Sequence, residues 1–263
     1  MKNFIEGSPI IIGLAGKAGS GKTSVAEAIV PKGSFDANIY GMKWDHIFYA
    51  LPLYEMASIK INIMGDNAES RKLHAIHNVL YEIYGGSPLG KMPHYYSFVD
   101  KVKAIYELPI SQEGTKPRTF LQIAGDICRE YDPKCFASWA ISKSNSLYRQ
   151  YAKESNQLDS ENSLKHMCVL ISDVRYPDEA NEILKQKNGV LISFDADESI
   201  LNERIMKRDG KLMSSEQLRH SSESNIDEIK SISSAIINTN NMTIEEQVEA
   251  TLSSLGIGSK ANA

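Results

Sequence analysis

Short apolar runs alternate with stretches of helical period along most of the chain. Five runs have the continuous, β-branched character of strands covered on both faces: Pro9–Ala15 (PIIIGLA), Ala37–Met42 (ANIYGM), Met167–Ser172 (MCVLIS), Val190–Phe194 (VLISF) and Ser234–Ile237 (SAII). Helical patterns between them predict a doubly wound α/β sheet with crossover helices. One such helix runs over Asp178–Lys187, after Pro177 and before Gly189. The last opens on a capping box, Thr243-Ile-Glu-Glu246, and carries Ile244, Val248, Leu252 and Leu255 on one face. The alternation breaks at His46–Thr115. There the apolar positions recur with helical spacing (Leu53, Met56; then Leu73, His77, Leu80, Tyr84; then Tyr95, Phe98, Val102, Ile105), which predicts an inserted helical subdomain. Glu154–Ser163 reads as an exposed polar loop and Gly256–Ala263 as a frayed tail.

Composition narrows the class without changing this picture. Of the 263 residues, 42% are hydrophobic and 24% charged, as in ordinary globular domains. A net charge of −4 argues against a sequence-independent grip on nucleic acid, which requires a basic face. The three cysteines, Cys128, Cys135 and Cys168, form no CxxC pair and suit a reducing compartment. No apolar run approaches the ~20 residues of a membrane span. The expected location is the cytoplasm.

The sharpest chemical signal is Gly16–Thr23, GKAGSGKT, which fits GxxxxGK[ST]. It follows an apolar strand and leads into Ser24-Val-Ala-Glu-Ala-Ile29, the strand–loop–helix context that this motif needs. Glycines at 16, 19 and 21 let backbone N–H groups curl around an anion, and the helix N-terminus adds its positive end. Lys22 can reach the outer phosphates of a nucleoside triphosphate, and the Thr23 hydroxyl can ligate Mg²⁺.

Three further groups fall where such a ligand would meet them. Asp173 ends the strand at Met167–Ser172, with Arg175 two residues on. A carboxylate at a strand tip can hold Mg²⁺, and an arginine there can brace a transferring phosphoryl group; the same Asp can equally serve as a cap. In Lys116–Tyr131, the positions Arg118, Gln122, Gly125 and Arg129 form one helical stripe opposite Phe120, Ala124, Ile127 and Tyr131. That stripe suits a monophosphate, or is simply a solvated face. Glu198–Asp209 sets Arg204 and Arg208 one turn apart and leads into the polar stretch Gly210–Ser224, with Arg219 and His220. A basic helix before a polar excursion has the form of a lid closing on donor and acceptor, or of a charged surface helix. Trp44 lies just after the second predicted strand, placed either to touch substrate or to anchor the insert. His74 and His77 lack a third ligand and read as packing or surface residues.

These residues resemble the P-loop nucleoside monophosphate kinases, and among them the bacteriophage-type deoxynucleoside monophosphate kinases. The likeness rests on GKAGSGKT at 16–23, RTFLQIAGDICREYDP at 118–133, VLISDVRYPDEANEI at 169–183, HSSESNIDE at 220–228 and the IIN ending at Asn238. It implies an α/β P-loop NTPase fold of the adenylate-kinase-like kind, with a parallel five-stranded sheet. The core would span 8–45, 116–203 and 226–255, the monophosphate-binding insert 46–115, and the lid 204–225. It also implies phosphoryl transfer from ATP, with Mg²⁺, to a deoxynucleoside monophosphate. Gly16, Lys17, Ala18, Gly19, Ser20, Gly21, Lys22, Thr23 and Ser24 would hold ATP. Thr23 and Asp173 would hold the metal. Lys43, Trp44, Arg118, Gln122 and Arg129 would lie near the acceptor, and Lys22, Asp173, Arg175, Arg204 and Arg208 at the reaction centre. After its second strand the family often shows a Phe-Ala-Asp-like stretch and then Lys, where this chain has Tyr40-Gly-Met-Lys-Trp-Asp45. Rival readings are another P-loop small-molecule kinase, such as a dephospho-coenzyme A kinase, and a nucleotide-dependent switch ATPase. The partners expected are small nucleotides, with neither nucleic acid nor membrane; a homodimer is the assembly considered.

Overall fold

A computed structural model describes residues 4–31, 37–39, 42–85, 95–110, 117–157, 166–215 and 224–257. Its centre is β1 (Ile10–Ala15), whose six residues are all buried, as a strand covered on both faces must be. Around it lie β2 (Ala37–Ile39), β3 (Met42–Ile47), β4 (Met167–Val174), β5 (Gly189–Asp195) and β6 (Ala235–Asn238), in the order β2-β3-β4-β1-β5-β6. The five strands from β3 to β6 are parallel, and β2 adds an antiparallel edge beside β3. This is the α/β arrangement expected, a parallel five-stranded sheet, with one strand more. The run read as a single strand at 37–42 contributes to two strands, β2 and the start of β3, which pair antiparallel with Ala37 opposite Trp44 and Ile39 opposite Met42.

Helices cover both faces. The first face carries α1 (Lys22–Ile29) and α10 (Ile244–Ser254). There Val25, Ile29, Leu252 and Leu255 pack with Ile10, Ile12, Leu14, Trp44, Leu170 and Ile192. The capping box of α10 forms as expected: Thr243 Oγ1 accepts the Glu246 N–H at 3.3 Å, and Glu246 accepts the Thr243 N–H at 2.7 Å. Ile257 is buried in the same core, so the tail read as frayed from Gly256 is anchored at its start.

The second face carries α2 (Leu51–Asn62), α3 (Ala68–Ile83), α4 (Tyr95–Glu107), α5 (Arg118–Tyr131), α6 (Cys135–Gln157), α7 (Pro177–Leu184) and α9 (Ile226–Ser231). The insert is helical, yet it is no separate body: Met56, Ile76, Leu80, Phe98 and Phe120 share one continuous core with Ile11, Val169, Ile171 and Leu191. Its boundary at His46 falls early, since His46 and Ile47 belong to β3. The polar stretch from Glu154 begins inside α6, which continues to Gln157; the remainder of that expected loop lies outside the described residues. Gly189 starts β5 directly against α7, where a Cβ would overlap the Ile183 carbonyl. Finally, α8 (Glu198–Asp209) leaves the tip of β5 and ends on Gly210, a left-handed cap with φ 72°. Among the described residues no helix is long and apolar enough to cross a membrane.

Trp44 corrects an expectation. It sits within β3, fully buried on the α1 side of the sheet, and cannot touch a substrate. Trp44→Ala should therefore cost about 3–5 kcal/mol of stability in a denaturant titration. A pocket-lining tryptophan would instead leave the midpoint in place and weaken acceptor binding.

Candidate functional site

Ligands of open α/β sheets sit beyond the carboxyl ends of the strands, and that end here is built from four pieces. The first is the loop from Gly16 to Gly21. Gly16, Gly19 and Gly21 hold φ of 145°, 83° and 96°, values that side chains rarely adopt. Each is also hemmed in: a Cβ would lie 2.6 Å from the Phe194 carbonyl at Gly16, 2.7 Å from the Leu201 carbonyl at Gly19, and against the Gln247 side chain at Gly21. The loop closes on itself through the Lys17 carbonyl, which accepts the Ser20 N–H at 3.2 Å and Lys22 Nζ at 3.1 Å. Ser20 Oγ is buried without a hydrogen-bond partner among the described residues, as fits a group awaiting an anion. Thr23 and Ser24 follow in the first turn of α1, and Ala18 is buried in the loop.

The second piece is the tip of β4. Its pairing with β1 is irregular between Gly13 and Ala15: Gly13 lies opposite Ile171, but Ala15 lies opposite Val174. β4 thus carries one extra residue just where Asp173 emerges, a bulge that re-aims the side chain. Asp173 accepts the Tyr49 N–H at 2.6 Å and the Ala50 N–H at 3.0 Å, and so caps the start of α2. Each oxygen keeps a further lone pair.

The third piece is cationic. Burial first, and then Asp173, push the Tyr54 hydroxyl up to about 12, against the opposing pull of Arg118, Arg175 and Arg208. These four charges, from α5, the β4 tip and α8, therefore all act electrostatically on one residue of α2. Arg118 Nη2 and Arg208 Nη2 each donate to Asp209 Oδ2 at 2.7 Å, and Arg208 Nε donates to Oδ1 at 2.8 Å. The Asp209 side chain is only 4% exposed, at a helix C-terminus where a carboxylate is ordinarily disfavoured. The bond from Arg208, and then that from Arg118, hold its carboxyl well below the usual range, against the burial that raises it.

The fourth piece is the junction of α8 with the loop. Arg204 donates to the Thr239 hydroxyl at 3.0 Å, to the Thr239 carbonyl at 2.7 Å and to the Gly19 carbonyl at 3.4 Å. It ties the glycine loop to the end of β6. The lid drawn from Arg204 is corrected accordingly: α8 is continuous to Asp209 and packs on Gly19, so any lid begins after it. Arg219 and His220 lie outside the described residues.

Other expected acceptor residues separate from this cluster. Lys43 is the second residue of β3, opposite Met167, six residues and about 20 Å from Asp173 along β4. There it pairs with Glu154 and lies over the Tyr151 ring. Trp44 is core. Arg129 is also diverted: it donates to buried Glu179 at 3.0 Å, between the rings of Tyr176 and Phe136. Burial raises the Glu179 carboxyl, while Arg129 and the Arg175 amide pull it back. Gln122 remains on the stripe one turn after Arg118, half-buried. The segment that actually follows the strand is Phe48–Tyr54, with Tyr54 on the cluster and neither an Asp nor a Lys in it. Tyr54, Asp209 and Glu179 escaped the sequence reading. Pro52 at the start of a helix signalled the first, and Tyr-Pro-Asp-Glu at 176–179, with Glu at the capping position, signalled the last.

No protein-family model and no curated protein matches the sequence. Two solved structures follow the general run of the chain loosely, each at 15% identity. TT1252 from Thermus thermophilus has a TM-score of 0.40, covering 94% of this chain and 98% of its own. A gluconokinase from Sinorhizobium meliloti 1021 has a TM-score of 0.36, covering 94% and 92%.

The Asp209 junction generates a stability test. Its depressed carboxyl contributes stability that is complete above the unfolded value, about 4, and is lost as pH falls below it. Asp209→Asn should lower stability by about 2 kcal/mol at pH 7. The difference from wild type should shrink in urea titrations toward pH 3. A constant difference would mean that the charge of Asp209 contributes nothing.

Proposed function

We propose that the chain is a kinase that moves the γ-phosphoryl group of ATP onto the phosphate of a nucleoside or deoxynucleoside monophosphate, releasing two diphosphates. The observation that carries this reading is that a glycine-rich amide loop and a pair of joined arginines are held by the same helix at one end of the sheet. The loop of residues 16–24 follows β1 and packs at Gly19 on Leu201 of α8, and the end of α8 carries Arg208, joined through Asp209 to Arg118. A loop alone would suit any triphosphate hydrolase. A second set of guanidinium groups suits an acceptor that is itself a phosphate.

The fit to the nucleotide rests on the crowded glycines and on the buried Ser20 hydroxyl, which has no hydrogen-bond partner among the described residues. Gly16 to Ser24 would cradle the phosphate chain of ATP through main-chain N–H groups, with Lys22 on the outer phosphates. Thr23 and the remaining lone pairs of Asp173 would hold Mg²⁺, which when bound neutralises charge on the β- and γ-phosphates. The acceptor oxygen is already anionic and requires no general base. It forms a bond to the γ-phosphorus as the bond to the bridging oxygen of ADP breaks, and the added negative charge meets Lys22, Arg175 and Arg208. Arg118 and Gln122 orient the acceptor phosphate. Asp209 already joins Arg118 to Arg208, so a phosphate arriving there meets two arginines held as one fork. Arg204 and Arg129 serve this site as braces, not as ligands. The partners of such an enzyme are small nucleotides in the cytoplasm.

A coupled ADP-release assay over deoxy- and ribonucleoside monophosphates, with dephospho-coenzyme A as a control, tests the reading. ADP should appear only with a monophosphate acceptor, and Lys22→Ala should reduce turnover by about 10²-fold or more. ADP release without any acceptor would make the chain a switch ATPase instead, and release with dephospho-coenzyme A alone would reassign the acceptor.

A further inference from the structure

We propose that Glu179 is a positioning residue for phosphoryl transfer: its buried carboxylate locks the turn that carries Asp173 and Arg175 and fixes where both point. The proposal rests on the kinase reading for its reaction, and on hydrogen bonding for its mechanism. A glutamate at the third position of a helix ordinarily reaches back to one N–H, that of the capping residue. Glu179 does this with Tyr176, at 3.1 Å, and then goes further. The same oxygen, Oε2, accepts the Arg175 N–H at 2.9 Å, while Oε1 accepts Arg129 Nη2 from α5 at 3.0 Å. Its carbonyl accepts the Tyr49 hydroxyl at 3.4 Å, and the Tyr49 N–H in turn binds Asp173.

One residue therefore joins α5, the β4–α7 turn and the start of α2. The side chain is 2% exposed, so none of its bonds competes with bulk water. Arg129 is immobilised as its partner, 3.7 Å over the Tyr176 ring and 4.7 Å over the Phe136 ring. Gly125 leaves room for it: a Cβ there would lie 3.0 Å from Arg129 Nη1. Capping α7 needs none of the contacts to Arg129, Arg175 or Tyr49. The bond to the Arg175 N–H holds the main chain just after Val174, Arg129 fixes the carboxylate that makes it, and Tyr49 links the Glu179 carbonyl to the Asp173 side chain, so the contacts bear on the directions of both Arg175 and Asp173. Displacement of such groups by about 1 Å can cost on the order of 10²-fold in rate.

The test compares Glu179→Ala, Glu179→Gln and the double variant Arg129→Gln/Glu179→Gln, all in the full chain. The amide oxygen introduced by Glu179→Gln can still accept the two N–H groups but leaves Arg129 without its counter-charge. The double variant removes both charges together, so that folding survives if the single variants unfold. Expected results are a fall in kcat of about 10²-fold for Glu179→Ala and about tenfold for the Gln variants, with KM for ATP within about threefold of wild type. Amide hydrogen exchange at Arg175 and Tyr176 should accelerate in Glu179→Ala and stay slow in Glu179→Gln, with Gly16–Thr23 unaffected in both. A folded variant at 179 with wild-type kcat, or a loss confined to KM for ATP, overturns the proposal. A wild type without transfer activity overturns the kinase reading alone. The exchange measurement then decides this inference, since unchanged protection in Glu179→Ala overturns it.

Discussion

Everything at the carboxyl end of the sheet depends on a loop of main-chain amides being held open by its surroundings. The glycines of such a loop have no side chains with which to pack, so its shape has to be imposed from outside. Three contacts impose it: the Phe194 carbonyl at the end of β5 against Gly16, the Leu201 carbonyl of α8 against Gly19, and the Gln247 side chain of α10 against Gly21. The packing that makes glycine obligatory at these positions also fixes where β5, α8 and α10 must lie. Arg204 then ties Gly19 to the end of β6, so an element remote in sequence shares in holding the loop.

Charge in this region divides between construction and chemistry. Arg204 and Arg129 have their donors directed at carbonyls or at a buried carboxylate, and aromatic rings cover Arg129 on two sides. Arg118 and Arg208 share a single carboxylate, Asp209, which holds two like charges together that would otherwise repel. Two arginines can therefore stand side by side here because an acidic residue sets their geometry. Asp173 does similar double duty, capping α2 while lying among the site charges.

The sequence carried the core well, because fully buried parallel strands write themselves as unbroken apolar runs and because caps such as Thr243–Glu246 are local chemistry. The loop at Gly16–Thr23 was legible because its glycines, the strand before it and the helix after it are adjacent in sequence, although the contacts that hold its shape are not. Where partners are distant in sequence, the reading failed. Trp44 and Lys43 looked available because the strand was read over Ala37–Met42 and both were placed beyond its end, whereas they lie within β3. Arg129 shared a helical stripe with Arg118, but periodicity cannot reveal Glu179, 50 residues on, that claims it. Asp209 was hidden by its neighbour, since an acid following an arginine on a helix carries no hint that a third element completes the group.

The two margins of the sheet have a consequence for how copies of this chain can associate. β2 offers three residues and β6 four, and both follow strands that are themselves fully engaged. Borders this short give an incoming segment too few main-chain groups to add itself as another ribbon. Among the described residues, stacking of molecules edge to edge into a growing filament through these two borders is thereby discouraged.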